Sequence, residues 1–243
     1  MPESPRLQPE VQPSQTALGQ HSPVGVRRLS AVHFLVALIL LLVTLPFVDQ
    51  LPNGALVESV LLTLVLLSAV MAVGGRRNSL IVGVVLVTPA VLGRWIDHFR
   101  PDLIPADLSL VAAIVFVVFV IVHLLRFIMR APRVNDEVLC AGLSTYLMLG
   151  VLWMFAYTLV ARLVPGSFAF TDGPGPNRSM AGFEAMFFSF GTLTNINYGE
   201  TIPVSRIARL LALAEATTSM FFVTVLIARL VSLYSENEPT QIP

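Results

Sequence analysis

The segment from Thr192 to Glu200, TLTNINYGE, is polar and lies between two apolar stretches of a hydrophobic chain. Its threonines, asparagines and glycine are common in turns, so an ordinary surface loop is one interpretation. The other is non-helical backbone at membrane depth, which is tolerated only where protein buries it or where it lines a watery cavity. In that case its carbonyl, hydroxyl and amide groups are available to coordinate or hydrogen-bond. The elements around the segment must decide between these interpretations.

The composition is that of an integral membrane protein. Apolar residues make up 55% of the 243 residues and charged residues only 12%, whereas soluble domains are roughly half apolar and a quarter charged. The single cysteine, Cys140, excludes an intrachain disulfide and a cysteine metal cluster. The sequence contains no His-Glu helix motif, no phosphate-binding glycine loop and no plausible Ser-His-Asp set, so we expect no enzyme activity.

Six apolar stretches approach the ~20 residues that cross ~30 Å of hydrocarbon as a helix. They are residues 29–48, 55–73, 79–96, 108–129, 138–164 and 207–233. The third is the weakest candidate because it contains Pro89 and, near its end, Arg94. The sequence therefore predicts an all-α integral membrane protein with six transmembrane helices.

Arginines are concentrated in alternate connections between these stretches. Those on one side are Arg27, Arg28, Arg76, Arg77, Arg126, Arg130 and Arg133. By the positive-inside rule this side is cytoplasmic, so both termini should face the cytoplasm in a multi-pass protein of the plasma or inner membrane. The long connection between the fifth and sixth stretches then lies on the outer face.

The chain divides by composition into four parts. Residues 1–26 are rich in Pro, Gln and Ser, and we expect a disordered cytoplasmic tail. Residues 27–134 are predicted as a four-helix transmembrane domain, 135–234 as a second domain and 235–243 as a short cytoplasmic tail. A voltage sensor needs several regularly spaced arginines in its fourth span. The fourth span here has none before Arg126, so we expect little or no voltage sensing.

The outer connection contains a candidate short helix. Ser179 is a candidate N-cap and Glu184 an acid in an early turn, which is favourable near a helix N-terminus. The apolar run 183–190 is only about two turns long, too short to cross a bilayer. What remains is a helix that enters from outside and returns as extended chain through Thr192 to Glu200. That path requires a buried or water-lined environment, which indicates a pore.

From about Val138 to Tyr234 the chain resembles the pore domain of potassium channels: outer helix, pore helix, filter and inner helix. The family pattern around the filter is TLTTVGYGD or a close variant, followed by isoleucine and proline, and here it reads TLTNINYGETIP. The ending VLIARLVSL is similar to that of bacterial six-span members. The resemblance implies that 135–234 is a pore domain, with a re-entrant pore helix and filter loop between the fifth and sixth spans.

The resemblance also implies roles for individual residues. A potassium filter replaces the hydration shell of a monovalent cation with rings of backbone carbonyls. The filter residues would be Thr194, Asn195, Ile196, Asn197, Tyr198 and Gly199. One loop supplies a quarter of each ring, so a homotetramer is implied. The candidate at the outer mouth is Glu200. The candidates for support of the pore helix and filter are Glu184, Thr192 and Glu215, and those for the cavity lining are Thr217, Thr218, Ser219 and Thr224.

Two asparagines depart from the family pattern. Asn197 replaces a glycine at a position that needs unusual dihedral angles, and asparagine is the non-glycine residue that most readily adopts left-handed conformations. Asn195 replaces a threonine whose hydroxyl serves the innermost ion site, and its amide would present a carbonyl, a donor or an altered width. The expected function is a passive, potassium-conducting cation channel. The alternatives are a nonselective cation channel and a nonconducting scaffold or sensor with the pore fold.

Few other partners are expected. The permeant K⁺ or another monovalent cation would only pass through, so we expect no cofactor and no resident metal. The expected partners are further copies of the chain and the lipid bilayer, and neither nucleic acid nor a small-molecule ligand is predicted.

Overall fold

In the residues that it describes, the computed structural model is helical apart from short turns and one two-stranded ribbon. It describes residues 25–48, 54–73, 77–99, 106–133, 135–171, 179–196 and 200–235. The helices in these residues are α1 (Gly25–Val48), α2 (Gly54–Val73), α3 (Arg77–Phe99), α4 (Ala106–Arg130), α5 (Asp136–Leu163), α6 (Gly182–Leu193) and α7 (Arg206–Ser235). The strands are β1 (Phe168–Phe170) and β2 (Thr201–Pro203), and they pair antiparallel.

Four of the helices, α1, α4, α5 and α7, are long and apolar enough to cross a membrane. The apolar stretches within α2 and α3 are shorter, Leu56–Ala72 and Leu80–Gly93. Even so, α3 continues through Pro89 as one helix of 23 residues. The helical membrane architecture is confirmed, while the count of six spans stays a prediction.

Two predicted boundaries need correction. Helix α1 begins at Gly25, so the last two residues of the predicted tail 1–26 are helical, and residues 1–24 lie outside the described part of the chain. Ser179 does not cap α6, because the helix begins three residues later and its N-cap is Ala181, with no side-chain capping bond. The Ser179 carbonyl instead accepts a bond from the Ala181 N–H at 2.8 Å, in a turn before the helix.

Helices α1 to α5 pack into one apolar body. Helix α4 packs against α3 and α5, and α1 packs against α2 and α5. At the centre Phe34 and Leu38 of α1, and Phe116, Val117 and Val120 of α4, are fully buried. In a bilayer the lipid tails are as apolar as these side chains, so close van der Waals packing stabilises the body. Helix α5 also packs against α6 and α7, and so connects them to this body.

The β-ribbon joins the two ends of the chain segment that contains α6. Phe168 pairs with Pro203 and Phe170 with Thr201. The Thr171 N–H donates to the Glu200 carbonyl at 2.8 Å, directly beyond the ribbon. The segment 171–200 therefore leaves and returns at one place. Three-residue strands leave no alternating pattern in the sequence, which is why the ribbon was not predicted.

Arg229 connects the C-terminal half of α7 to the end of α4. Its Nη2 donates to the carbonyls of Met129 at 3.2 Å and Ala131 at 3.1 Å. These carbonyls lie at the C-terminus of α4, where helix carbonyls lack intrahelical partners and a cation is favoured by the helix dipole. The guanidinium thus satisfies acceptors that α4 itself leaves open.

We expect Arg229→Gln to loosen this end of α7. The shorter neutral side chain cannot reach both carbonyls, so the free energy of unfolding should fall by about 1 kcal/mol. This is less than is usual for charge-assisted bonds, because the site is partly exposed. Hydrogen–deuterium exchange should accelerate in the last turns of α7. Arg206→Gln, at the exposed start of the same helix, is the control. Equal exchange in the two variants would contradict the role of Arg229.

Candidate functional site

The predicted filter begins where α6 ends. Thr194 is the C-cap of α6, and its N–H and its hydroxyl both donate to the Phe190 carbonyl, at 3.0 and 2.7 Å. Asn195 follows with φ 56°, and Ile196 is 80% exposed in the single chain. The remaining predicted filter residues, Asn197, Tyr198 and Gly199, lie outside the described residues.

Asn195 has a left-handed backbone, while the same expectation for Asn197 falls outside the described residues. Among described residues other than glycine, Asn195 alone has a positive φ. Its N–H donates to the Thr192 carbonyl and the Ile196 N–H to the Gly191 carbonyl, both at 3.1 Å. These two bonds and the left-handed residue form a Schellman motif, a common way to end a helix.

Glu215 lies behind this helix and is fully buried. The Tyr157 hydroxyl of α5 donates to its Oε2, and the Ser189 hydroxyl of α6 lies 2.6 Å from its Oε1. Ser189 also lies 2.9 Å from the Gly150 carbonyl of α5. An ionisable group inside a span is costly and requires hydrogen-bonding partners. The carboxyl group of Glu215 therefore ties α7 to both α5 and α6.

The Leu193 carbonyl provides a second tie among the same three helices. It accepts a hydrogen bond from the Ser219 hydroxyl of α7 at 2.6 Å and one from the Tyr146 hydroxyl of α5 at 3.2 Å. Ser219 is only 2% exposed. The expectation that Ser219 lines a cavity is therefore corrected: its side chain packs against the end of α6, because the buried hydroxyl needs this acceptor.

The remaining cavity candidates lie on an open face of α7. Thr217, Thr218 and Thr224 are exposed in the single chain. The hydroxyls of Thr217 and Thr224 donate to carbonyls four residues earlier, Leu213 and Met220, both at 2.8 Å. Such bonds within the helix leave the oxygen lone pairs available to water or a cation.

The other predicted site residues divide into buried and exposed positions. Thr192 is buried and its hydroxyl donates to the Phe188 carbonyl at 2.8 Å, within α6 itself. Glu184 lies in the first turn of α6, as expected, and is half-buried. Glu200 is exposed beside the ribbon. In the part of the chain that the structure describes, no group of three or more His, Cys, Asp or Glu side chains could hold a metal ion.

Aromatic packing holds α6 against α5 and was not predicted. Tyr157, Phe168 and Phe188 pack edge to face, with ring centroids 4.8–5.9 Å apart, which is the favoured arrangement for aromatic pairs. Phe190 lies directly over Gly150, where a Cβ would come within 2.4 Å of the ring. The signals for this packing in the sequence were a serine and a glycine within apolar helices, Ser189 and Gly150, since small residues allow close helix packing in membranes.

Comparison with known proteins bears on the same elements. A family model described as "Ion channel" matches residues 148–236, which include most of α5 and the whole of α6 and α7. No curated protein and no solved structure matches the chain. Residues 148–236 are therefore similar to the ion channel family, and this similarity supports a pore domain of the potassium-channel type and points to a channel rather than an enzyme.

Proposed function

We propose that four copies of this chain form a passive, potassium-conducting cation channel. The observation that carries the proposal is the position of α6, which is hydrogen-bonded between α5 and α7 and ends at the start of the predicted filter. Its 12 residues extend about 18 Å, too short to cross a bilayer. A segment that starts and ends at one ribbon supports a re-entrant pore loop.

The surface of α7 supports the tetramer. Leu210, Leu213, Met220, Phe221 and Val231 are each 61–68% exposed, and the three exposed threonines share this helix with them. A single chain supplies only one loop, so a closed ring of carbonyls requires cyclic assembly. In the proposed tetramer α7 is the inner helix, with one part of its surface against neighbouring subunits and another facing the cavity.

The proposed membrane arrangement follows from charge and helix length. We assign α1 to α5 and α7 as six spans of the plasma or inner membrane. Both termini then lie in the cytoplasm. Arg126, Arg130 and Arg133, which are exposed at the end of α4, support that side as cytoplasmic. Helices α1 to α4 act as a scaffold, since the described part of α4 carries no arginine before Arg126. In this arrangement Glu200 lies at the outer mouth.

Flux of thallium or rubidium into liposomes tests conduction. We expect flux above that of empty liposomes, and a mass in nanodiscs that corresponds to four chains. Bi-ionic reversal potentials then separate a potassium channel from a nonselective cation channel. A tetramer without flux at several pH values and voltages would favour a nonconducting scaffold, whereas a monomer would count against any central pore.

A further inference from the structure

The end of α6 is closed by hydrogen bonds from inside the chain. The carbonyl of Phe190 accepts from Thr194, that of Gly191 from Ile196, and that of Thr192 from Asn195. The carbonyl of Leu193 accepts from Ser219 and Tyr146. The acceptors that normally give a helix C-terminus its partial negative charge are therefore already paired. The direction in which the chain leaves α6 is set by this closed cap.

The cap depends on the backbone of Asn195. At φ 56° a Cβ approaches the carbonyl oxygen that follows, so residues other than Gly, Asn and Asp avoid this region. The exposed side-chain amide of Asn195 makes no hydrogen bond with the described residues, whereas its N–H completes the cap. What this position requires is a left-handed residue, and asparagine is one of the few that satisfy it.

We propose that Asn195 is a specificity-determining positioning residue that acts through its left-handed backbone and not through its amide. By closing the cap it sets the direction in which the chain leaves α6 towards the predicted filter. The inference rests on the proposed channel function and concerns the discrimination between K⁺ and Na⁺. A glycine substitution distinguishes the two roles at this position. If the amide acts on ions, glycine changes the selectivity; if the backbone positions the chain, glycine leaves it nearly unchanged.

Asn195→Gly and Asn195→Ala form a matched pair of variants. Both remove the amide, but only alanine adds a Cβ that resists the left-handed conformation, so it populates that conformation about tenfold less readily. In the full-length chain in bilayers, the K⁺/Na⁺ permeability ratio from bi-ionic reversal potentials should stay within about twofold of the parent for glycine. For alanine the permeability ratio should change by more than twofold and by at most about tenfold, the size of the conformational penalty.

The melting temperature of the purified protein gives a readout that does not depend on conduction. The glycine variant should melt close to the parent, and the alanine variant lower by about 3 °C. Equal changes in the permeability ratio for glycine and alanine would overturn the proposal and indicate that the amide determines selectivity. An unchanged ratio in both variants would mean that Asn195 has no role in selectivity. A silent parent would overturn the channel assignment together with the specificity role, and the two melting temperatures would still show whether the cap forms.

Discussion

Glu215→Leu is expected to destabilise the pore domain by about 2–3 kcal/mol, because it removes the oxygen to which the buried Tyr157 hydroxyl donates and one of the two acceptors in reach of Ser189. Tyr157 and Ser189 both bond to the carboxyl group and are themselves buried. Leucine fits the volume but offers no oxygen, so the tie between α7 and the other two helices is lost. The melting temperature in detergent should fall by about 5–10 °C.

Glu215→Gln is the matched variant and should behave close to the parent. The single hydroxyl hydrogen of Ser189 has two oxygen atoms in reach, Gly150 O at 2.9 Å and Glu215 Oε1 at 2.6 Å. A glutamine amide can accept from Tyr157 and donate to Ser189, which leaves the serine hydrogen free for Gly150. The hydrogen bonds are then satisfied with no charge at position 215.

Melting temperatures of the parent and the two variants decide the matter. If leucine and glutamine lower the melting temperature equally, the carboxylate charge is what stabilises the site and the hydrogen-bond account is wrong. If neither lowers it, Glu215 does not support α6. In liposomes, the glutamine variant should retain thallium flux and the leucine variant should lose it, since α6 then lacks one of its two described hydrogen-bonded links to α7.

The helices could be predicted closely because long apolar runs leave little choice. Helix α2 begins one residue before the predicted stretch, at Gly54, and α7 begins one residue before its own, at Arg206. A buried role for Glu215 could also be predicted, since burial of an acid in a span demands partners. The partners themselves could not, because Ser189 and Tyr157 lie 26 and 58 residues away along the chain. Helix packing alone brings them together.

Local choices among similar residues were harder to predict. Both Asn195 and Asn197 tolerate a left-handed backbone, and the residue that occupies the cap depends on where α6 ends. Helix ends depend on packing as well as on capping residues. Ser179 has the right chemistry for an N-cap, yet the turn at Met180, which is 5% exposed, places the start of the helix at Gly182.

Gly150→Val should strongly destabilise the contact between α5 and α6 in the pore domain. The Cβ of the new side chain alone would lie 2.4 Å from Cζ and 2.6 Å from Cε2 of Phe190. Either α6 or the ring must therefore move. Overpacking of this kind destabilises by about 1–3 kcal/mol, with more expected for a rigid β-branched side chain against a ring. The melting temperature should fall by about 5–10 °C.

Gly142→Val is the control, because it places the same side chain in the same helix with more room. Its Cβ would lie 3.3 Å from the methyl groups of Leu226, a flexible neighbour that can yield. A smaller loss is expected there. If Gly142→Val is as damaging as Gly150→Val, the cause is valine in α5 and not the contact with α6.

The double variant Gly150→Val with Phe190→Leu isolates the contact itself. Leucine shortens the side chain that valine would contact. The double variant should therefore lose less stability than the sum of the losses in the two single variants. The expected coupling is about 1 kcal/mol or more, as is usual for residues in direct contact. Additive losses would mean that Gly150 and Phe190 are not neighbours. Coupling would establish the close approach of α5 and α6, on which the position of the proposed filter depends.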